Sequence, residues 1–464
     1  MKKYIGALAI VMFLTHTTSL GAQSVPAGPL RVGAAKVDIT PAPDQLPKQF
    51  LGVLDHVWSR AIFIDNGRTG AVLVSVEAGA VPAQVASDVR SRVEKEFGVP
   101  AANVLISATH THSAPFIGRP PFGPDRDSAP DTSSWYEEKI FASIRQAREA
   151  LQPAKVSFGT GVSYLNVQRD MIDPVTHKWW EGANYEGLSD KTVAVVKFVS
   201  LQDEPIAVYY NYAMHAVING NLDQVSGDFP GAASRYLERA LGGEAVALFV
   251  SGAAGDQNPI YFQQTYDLRQ IRIKDYAKRG QDISNAMPPG GQGLDRKNPE
   301  VARLMEEQKE MATSMGQLLG EEVLHAMRGA NAGETNVRIF GKETTIDCPG
   351  RQRSDQGRGG VQGTYTDGPE IHITLDLVMV NDIAVGAVNG EVYNAIAQRL
   401  KRESPYATTF MVTVTNGYAN SGYIPDDASF GHQTFEVLSS RLKPGCAETK
   451  IVDGLTGMMP KIAY

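Results

Sequence analysis

Val104-Leu105-Ile106-Ser107-Ala108-Thr109-His110-Thr111-His112-Ser113-Ala114-Pro115 is the stretch on which the reading of this chain turns. A short apolar run bounded by polar residues predicts a buried strand over 104–107, and Ser-Ala-Pro breaks it. Residues two apart on a strand project to one face, so His110 and His112 are expected to offer both imidazoles to one ion. The pair falls at the C-terminal mouth of that strand, where open α/β sheets keep their ligands.

Outward from this stretch, strand-like and helical runs alternate. Upstream lie a strand over 71–75 and a helix over 82–97, whose proline is tolerated in the first turn; a second helix follows at 136–151. Further strands are expected at 192–198, 206–212, 245–250, 371–380, 383–388 and 408–414. The strongest helical pattern runs over 299–327, with Leu304, Met311, Met315, Leu318 and Val323 spaced for one apolar face. The alternation argues an α/β fold, with mixed sheets packed between helices. No Pro/Ser-rich linker divides the chain, which predicts one integrated domain over 23–464. Two glycine-rich stretches, 282–297 and 349–369, read as loops that cover or border the site.

The amino terminus carries Lys2 and Lys3, an apolar run over 5–14, and small residues at Ser19, Gly21 and Ala22. This is the pattern of a secretory signal cleaved near Ala22, over 1–22, so the protein is expected to be exported, periplasmic or secreted. No cysteine stands at the cleavage point to carry a lipid anchor. No later apolar run approaches the roughly 20 residues that span a bilayer. The net charge is −7 with both signs interspersed, which excludes an electrostatic footprint for nucleic acid. Cys348 and Cys446 are the only cysteines. An oxidising compartment permits them to pair, and spacing alone does not decide it.

Other chemistry-bearing residues fall just beyond predicted strands. His215 closes the run Ile206-Ala207-Val208-Tyr209-Tyr210-Asn211-Tyr212. Glu391 follows 383–388 through Asn389-Gly390 and reads as opening a helix. Tyr423 lies in Asn416-Gly417-Tyr418-Ala419-Asn420-Ser421-Gly422-Tyr423-Ile424-Pro425. Three histidines and a carboxylate suit zinc, which with one open position lowers the pKa of bound water to about 7. Taken singly, each residue has a plainer reading. His-Thr-His fits an ordinary core or surface pair, His215 a packed histidine, Glu391 a partner of a helix dipole, and Tyr423 loop packing. His56, His177, His325, His372 and His432 read as structural or exposed.

Together these motifs resemble the neutral/alkaline non-lysosomal ceramidase family. The matching stretches are Val37-Asp38-Ile39-Thr40, Trp58-Ser59-Arg60-Ala61-Ile62-Phe63, Thr109-His110-Thr111-His112-Ser113, Asn166-Val167-Gln168-Arg169, Ser226-Gly227-Asp228, Gly255-Asp256-Gln257-Asn258-Pro259, Asn389-Gly390-Glu391 and Gly422-Tyr423-Ile424-Pro425. They occur in the family's order across residues 30–440. The resemblance implies a sandwich-like catalytic domain and a Zn2+ shell of His110, His112, His215, Glu391 and Tyr423. It implies that Arg169 approaches the substrate's polar group, a surface salt bridge being its plainer role. The implied reaction is hydrolysis of an N-acyl amide to a fatty acid and a sphingoid base, with Tyr423 or Arg169 stabilising the oxyanion.

The departures narrow what carries over. The family hexapeptide Gly-Asp-Val-Ser-Pro-Asn has a serine where this chain has Asn258, so a serine-dependent step is unavailable. The Asn258 amide can still donate to a carbonyl or oxyanion. Asp256 is open to three roles: orienting a ligand histidine, acting as base, or turning the chain after Gly255. Phe435-Glu436 stands where relatives tend to have Tyr-Glu. The family's C-terminal immunoglobulin-like domain is expected to be missing, since the sequence stops at Tyr464; that weakens the inference to ceramide more than to zinc hydrolysis. The expectation is therefore a zinc-dependent amidohydrolase for ceramide or another N-acylated lipid. The alternatives are a hydrolase of a small polar amide, ester, lactone or glycan-derived compound, and a binding protein that has lost catalysis.

Overall fold

The computed structural model describes residues 25–120, 128–283, 291, 293–355 and 360–460. The expected signal segment lies outside the described residues, as do 284–290, 292 and 356–359 of the two expected loops.

The frame is an eight-stranded mixed sheet. Its spatial order is Val246–Ser251, Pro205–Tyr212, Thr192–Ser200, Gln152–Val162, Arg31–Asp38, Trp58–Asp65, Gly70–Val76 and Val104–Ala108. The outermost pair at each end is parallel and the inner pairs are antiparallel. Alternate residues enter different cores. Ile62, Ile64, Leu73 and Leu105 join one, while Ala61, Phe63, Val72, Val74, Val104 and Ile106 join another. A strand buried on both faces reads as a continuous apolar run, which is what 104–106 shows.

The first of these cores is shared with a second sheet, ordered Ile339–Arg353, Tyr365–Val380, Ile383–Val388 and Thr409–Val412, through Val378, Val380, Val385 and Phe410. On its other face the main sheet is covered in two halves. Helices Ala83–Phe97 and Ser133–Glu149 take one, and Asp228–Ala240 with Pro299–Arg328 the other. Helices Asn394–Glu403 and Ala447–Met458 cover the second sheet. The result is the expected α/β class, mixed sheets face to face between helices.

One feature of the main sheet brings distant sequence together. Arg31–Asp38 meets Gln152–Val162 only through Arg31↔Pro153 and Val32↔Gln152. The sheet turns on itself at this short seam, and strands from its two ends come into contact, with Ser75 Oγ donating to the Phe249 carbonyl at 2.5 Å. The chain leaving Thr409–Val412 joins the same two ends. Thr413 N donates to the Ser251 carbonyl at 2.9 Å, while Asn416 accepts from Ile106 N at 2.9 Å and donates to the Val104 carbonyl at 3.0 Å.

Three local expectations change. In the long helix Leu304, Met315 and Val323 are buried and Met311 half-buried as expected, but Leu319 is fully buried and Leu318 is 56% exposed, so at that one turn the neighbouring leucine takes the apolar face. Residues 349–353 and 365–369 are the paired end of a long hairpin, as far as Arg353↔Tyr365, rather than loop. Its glycines and solvent-facing charges leave no alternation to read. Cys348 and Cys446 form a disulfide with Cα atoms 5.8 Å apart, tying the second sheet to the helix Ala447–Met458. Among the described residues no helix is long and apolar enough to cross a membrane.

Candidate metal centre

The turned sheet sets His110 and His112, which follow one edge strand, beside His215, which follows a strand near the opposite edge. The ring centroids lie 5.0 Å apart for His110–His112, 4.8 Å for His110–His215 and 5.4 Å for His112–His215. One ligand nitrogen from each falls within 4.8 Å of the others. The strand Val104–Ala108 ends before Thr109, so the two imidazoles are not paired by the pleat of a strand. They converge because His110 turns the chain in the left-handed region, at φ 62°.

Glu391 completes the cluster from a different element than expected. It does not open a helix; it lies on the two-residue strand Glu391–Val392, parallel to Tyr423–Ile424, with Glu391 directly opposite Tyr423. The helix begins only at Asn394. Glu391 Oε2 stands 3.2 Å from His110 Nε2 and 3.3 Å from His215 Nε2.

The outer nitrogens fix the chemistry of the inner ones. His110 Nδ1 is 2.6 Å from the Gly79 carbonyl and His215 Nδ1 is 2.8 Å from the Ala254 carbonyl. A carbonyl only accepts, so each Nδ1 carries the hydrogen and each Nε2 of a neutral ring turns a lone pair inward. His110 Nε2, His215 Nε2 and Glu391 Oε2 are buried with no hydrogen-bond partner. Two lone pairs facing a carboxylate oxygen call for a cation between them, and this donor set fits zinc.

Without a metal the cluster is electrostatically divided. Burial pushes Glu391 up, but the His110 imidazole outweighs it and holds the carboxyl well below its usual range. Burial depresses His110, and Glu391 more than reverses this. His215 is depressed to about 4 by burial and then by Arg169. His112 is the exposed member of the three, yet the protein packed around it still displaces water; that and repulsion from His110 and His215 hold it well below its usual value.

Two phenols flank the cluster. The Tyr418 hydroxyl donates to Glu391 Oε1. Tyr423 sets its ring 6.4 Å from that of His215, with the Arg169 guanidinium carbon 5.4 Å from its centroid. Tyr418 escaped the sequence reading because a loop aromatic between Gly417 and Ala419 carries no periodic signal.

Beside the histidines lies a second polar group, built on the small sheet of Gln257–Pro259, Asn166–Ile172 and Trp179–Asn184. The pairing shifts register between Gln168 and Asp170, a bulge of the kind that re-aims a side chain at a site. Arg169 is 4% exposed, so it is not a surface salt bridge. Its Nε meets Glu436 at 2.8 Å, one terminal nitrogen donates to the Gly255 carbonyl at 2.5 Å, and the other to Asn258 Oδ1 at 3.2 Å. Asn258 Nδ2 in turn donates to Glu181 at 3.0 Å. Asp256 accepts from Asn394 N at 2.8 Å, at the start of the helix Asn394–Glu403, and the histidine beside it is oriented by Ala254 instead. Glu181, and His432 with its contact to Asp170 at 2.9 Å, are parts of this group that no motif announced.

Among the carboxyls that burial raises, Asp228, Asp256 and Asp376 reach about 7. Folded, these groups keep protons that the unfolded chain releases near pH 4, so their stabilisation is complete below that pH and is lost as pH rises through about 7. The depressed His112 and His215 act oppositely, but only below about pH 6.5. Chelated protein should therefore melt at progressively lower temperature from pH 6.5 to 8. A thermal midpoint that rises across this window would contradict the assignment.

An α/β fold with three imidazoles and a carboxylate turned toward one point defines a protein with a side-chain group able to hold a metal ion. Residues 32–370 match the family described as neutral/alkaline non-lysosomal ceramidase, N-terminal, and the chain belongs to that family. Among curated relatives it is similar to a neutral ceramidase of Drosophila pseudoobscura pseudoobscura, 26% identical over 276 residues, covering 54% of this chain and 39% of that protein. It is similar also to neutral ceramidase B of Dictyostelium discoideum, 28% identical over 261 residues, covering 49% and 35%. The neutral ceramidase of Pseudomonas aeruginosa is 26% identical over 285 residues, covering 54% and 41%. The matches thus span about two fifths of these relatives' lengths. The fold is shared with a crystal structure of the Pseudomonas aeruginosa neutral ceramidase, at TM-score 0.66 and 16% identity over 93% of this chain and 74% of that one. A structure titled as ceramidase complexed with C2 gives TM-score 0.67 and 17% identity, with the same coverage.

Proposed function

We propose that this chain is a zinc-dependent hydrolase of N-acyl amides, with ceramide or a similar N-acylated lipid as substrate. The observation that carries this reading is the inward convergence of His110 Nε2, His215 Nε2 and Glu391 Oε2, buried and without hydrogen-bond partners. His110, His112, His215 and Glu391 would hold the metal, with Tyr418 or Tyr423 beside it. A zinc ion held there with an open position would supply hydroxide near neutral pH and would polarise an amide carbonyl.

The chain's own residues do the rest. Gly79 and Ala254 fix the tautomers of two ligand histidines. The Tyr418 hydroxyl, on Glu391, keeps a proton at the edge of the cluster because burial and then Glu391 push its pKa up. Arg169, held by Glu436 and Asn258, offers its remaining N–H groups to a polar substituent or oxyanion. Asn258 stands where relatives have serine, and its amide is committed to Arg169 and Glu181, so it serves by fixing the arginine. Phe435, 61% exposed beside Tyr423, gives an acyl chain an apolar surface at the mouth.

The reading extends to location. The N-terminal signal pattern and the Cys348–Cys446 bridge both support export. A small polar substrate is the second reading. It is favoured by the run of polar and charged groups from Arg169 through Asn258 to Glu181 and Arg269 beside the histidines, which offers more hydrogen-bonding groups than a lipid chain needs.

The test measures fatty acid release by purified, metal-assayed protein from a ceramide panel alongside short-chain amides and esters. Release from ceramide that stops on chelation, returns with zinc and is lost in His112→Ala is the expected result. Turnover of the short substrates alone would move the reading to the second class. Bound metal with no turnover of any acyl substrate would leave a binding protein and overturn both.

A further inference from the structure

The stretches around Trp58-Ser59-Arg60 and Ser226-Gly227-Asp228 have no part in the site so far described, and both lead to one buried carboxylate, Glu77. Its side chain is 1% exposed, as is that of Arg60. Glu77 Oε1 pairs with Arg60, and Oε2 accepts from Trp58 N at 3.0 Å. On its other side it lies against the first turn of the helix Asp228–Ala240: a Cβ at Gly227 would stand 2.9 Å from Glu77 Oε2, and one at Gly231 3.3 Å from Oε1. The positive end of that helix favours an anion there. Beyond Arg60 the charges continue outward, with Arg60 Nε on Glu238 at 2.8 Å and Lys36 on Glu238 at 2.6 Å.

A buried ion pair is a poor device for stability, because desolvation offsets most of the attraction. What distinguishes Glu77 is the backbone it holds. Val76 and Gly79, on either side of it, provide the two contacts that seat His110: Thr109 N donates to the Val76 carbonyl at 2.9 Å, and His110 Nδ1 to the Gly79 carbonyl at 2.6 Å. Glu77 N is itself fixed to the Trp58 carbonyl at 3.0 Å. His110 needs such a seat, since its left-handed backbone, φ 62°, is disfavoured for a residue with a Cβ. The tautomer that turns Nε2 inward depends on the Gly79 carbonyl staying where it is.

We propose that Glu77, locked by Arg60, is a positioning residue for the metal centre: it holds the 76–79 backbone whose Gly79 carbonyl orients His110. The proposal rests on the metal-centre reading above. Glu238 supplies the control, since it is the other carboxylate on Arg60 and touches neither 76–79 nor a ligand histidine.

The experiment measures zinc affinity by chelator competition, and the visible spectrum of the cobalt-substituted protein, for the full chain and three variants. Glu77→Gln is expected to bind zinc roughly 10- to 100-fold more weakly, as changes behind a ligand histidine typically do, with an altered cobalt spectrum. Glu238→Gln should keep the wild-type affinity and spectrum even where its melting temperature falls as far. Gly227→Ala, which presses a methyl group on the Glu77 carboxylate, gives a milder shift of the same kind and stands in if Glu77→Gln does not fold. Wild-type affinity in both Glu77→Gln and Gly227→Ala overturns the proposal, and so does an equal loss in Glu238→Gln, which would make the effect one of general stability. If the wild-type protein binds neither zinc nor cobalt, the metal-centre reading itself falls and takes this one with it.

Discussion

His215→Ala should leave the purified protein without bound metal and lower any hydrolytic activity by about three orders of magnitude, the size expected when several kcal/mol of charge stabilisation is withdrawn from a transition state. Of the three histidines this is the one most completely enclosed, 1% exposed, with Nδ1 committed to Ala254 and Nε2 to the centre. Neither His112, which is exposed, nor Glu391, which also answers to Tyr418, is so singly placed. Truncation also leaves a cavity, and cavities alone destabilise by about 2–5 kcal/mol for large side chains. Burial already disfavours the charged ring, so metal-free protein loses little electrostatically when His215 goes. The check is metal content, turnover and thermal midpoint on the same preparation, each with and without chelator. Wild-type protein should fall toward the variant's midpoint on chelation, while the variant should not respond. Retained zinc at full stoichiometry would show that the centre does not include His215.

What the sequence made legible was whatever depends on short stretches. The run 104–106, the strand Ile383–Val388 and the helix Pro299–Arg328 follow from periodicity, because each buries a continuous face. His110, His112, His215 and Glu391 could be named because each follows such a run. How they meet was not legible. Their convergence depends on a seam of two residue pairs, Arg31↔Pro153 and Val32↔Gln152, across which the sheet turns on itself. No local pattern encodes where a sheet turns. Glu391 shows a smaller version of the same limit: a strand of two residues has no period, so the nearest strong element, the helix at Asn394, claimed it. The Arg169 group was hidden for a third reason. Its partners Glu181 and Glu436 look like solvated acids until tertiary contacts gather them around one guanidinium, half-burying the first and burying the second. The Leu318 and Leu319 pair is a case of plain ambiguity, since adjacent leucines sit 100° apart on a helix and either fits the stripe.

Arg169 is where stability and chemistry can be separated. Arg169→Met removes the partner of Glu436, 2.8 Å away and 1% exposed, and leaves Gly255 and Asn258 short of a donor. Removing one member of a buried ion pair typically destabilises by about 3–5 kcal/mol, because the other charge stays buried without compensation. Lysine is no substitute, since three directions of bonding and the face set against Tyr423 need a planar fork. Replacing both partners by apolar residues of similar size is far milder. Arg169→Met with Glu436→Met should therefore recover most of the lost unfolding free energy in a urea titration. Activity should not recover with it. If Arg169 also serves the substrate, both variants stay at least about 100-fold below wild type, the scale for losing one donor to a developing oxyanion. The two measurements then part company, with stability restored and turnover still absent. Should turnover return together with stability in the double variant, Arg169 would be a structural ion pair in a well-chosen place, and the oxyanion would have to be met by Tyr418 or Tyr423 alone.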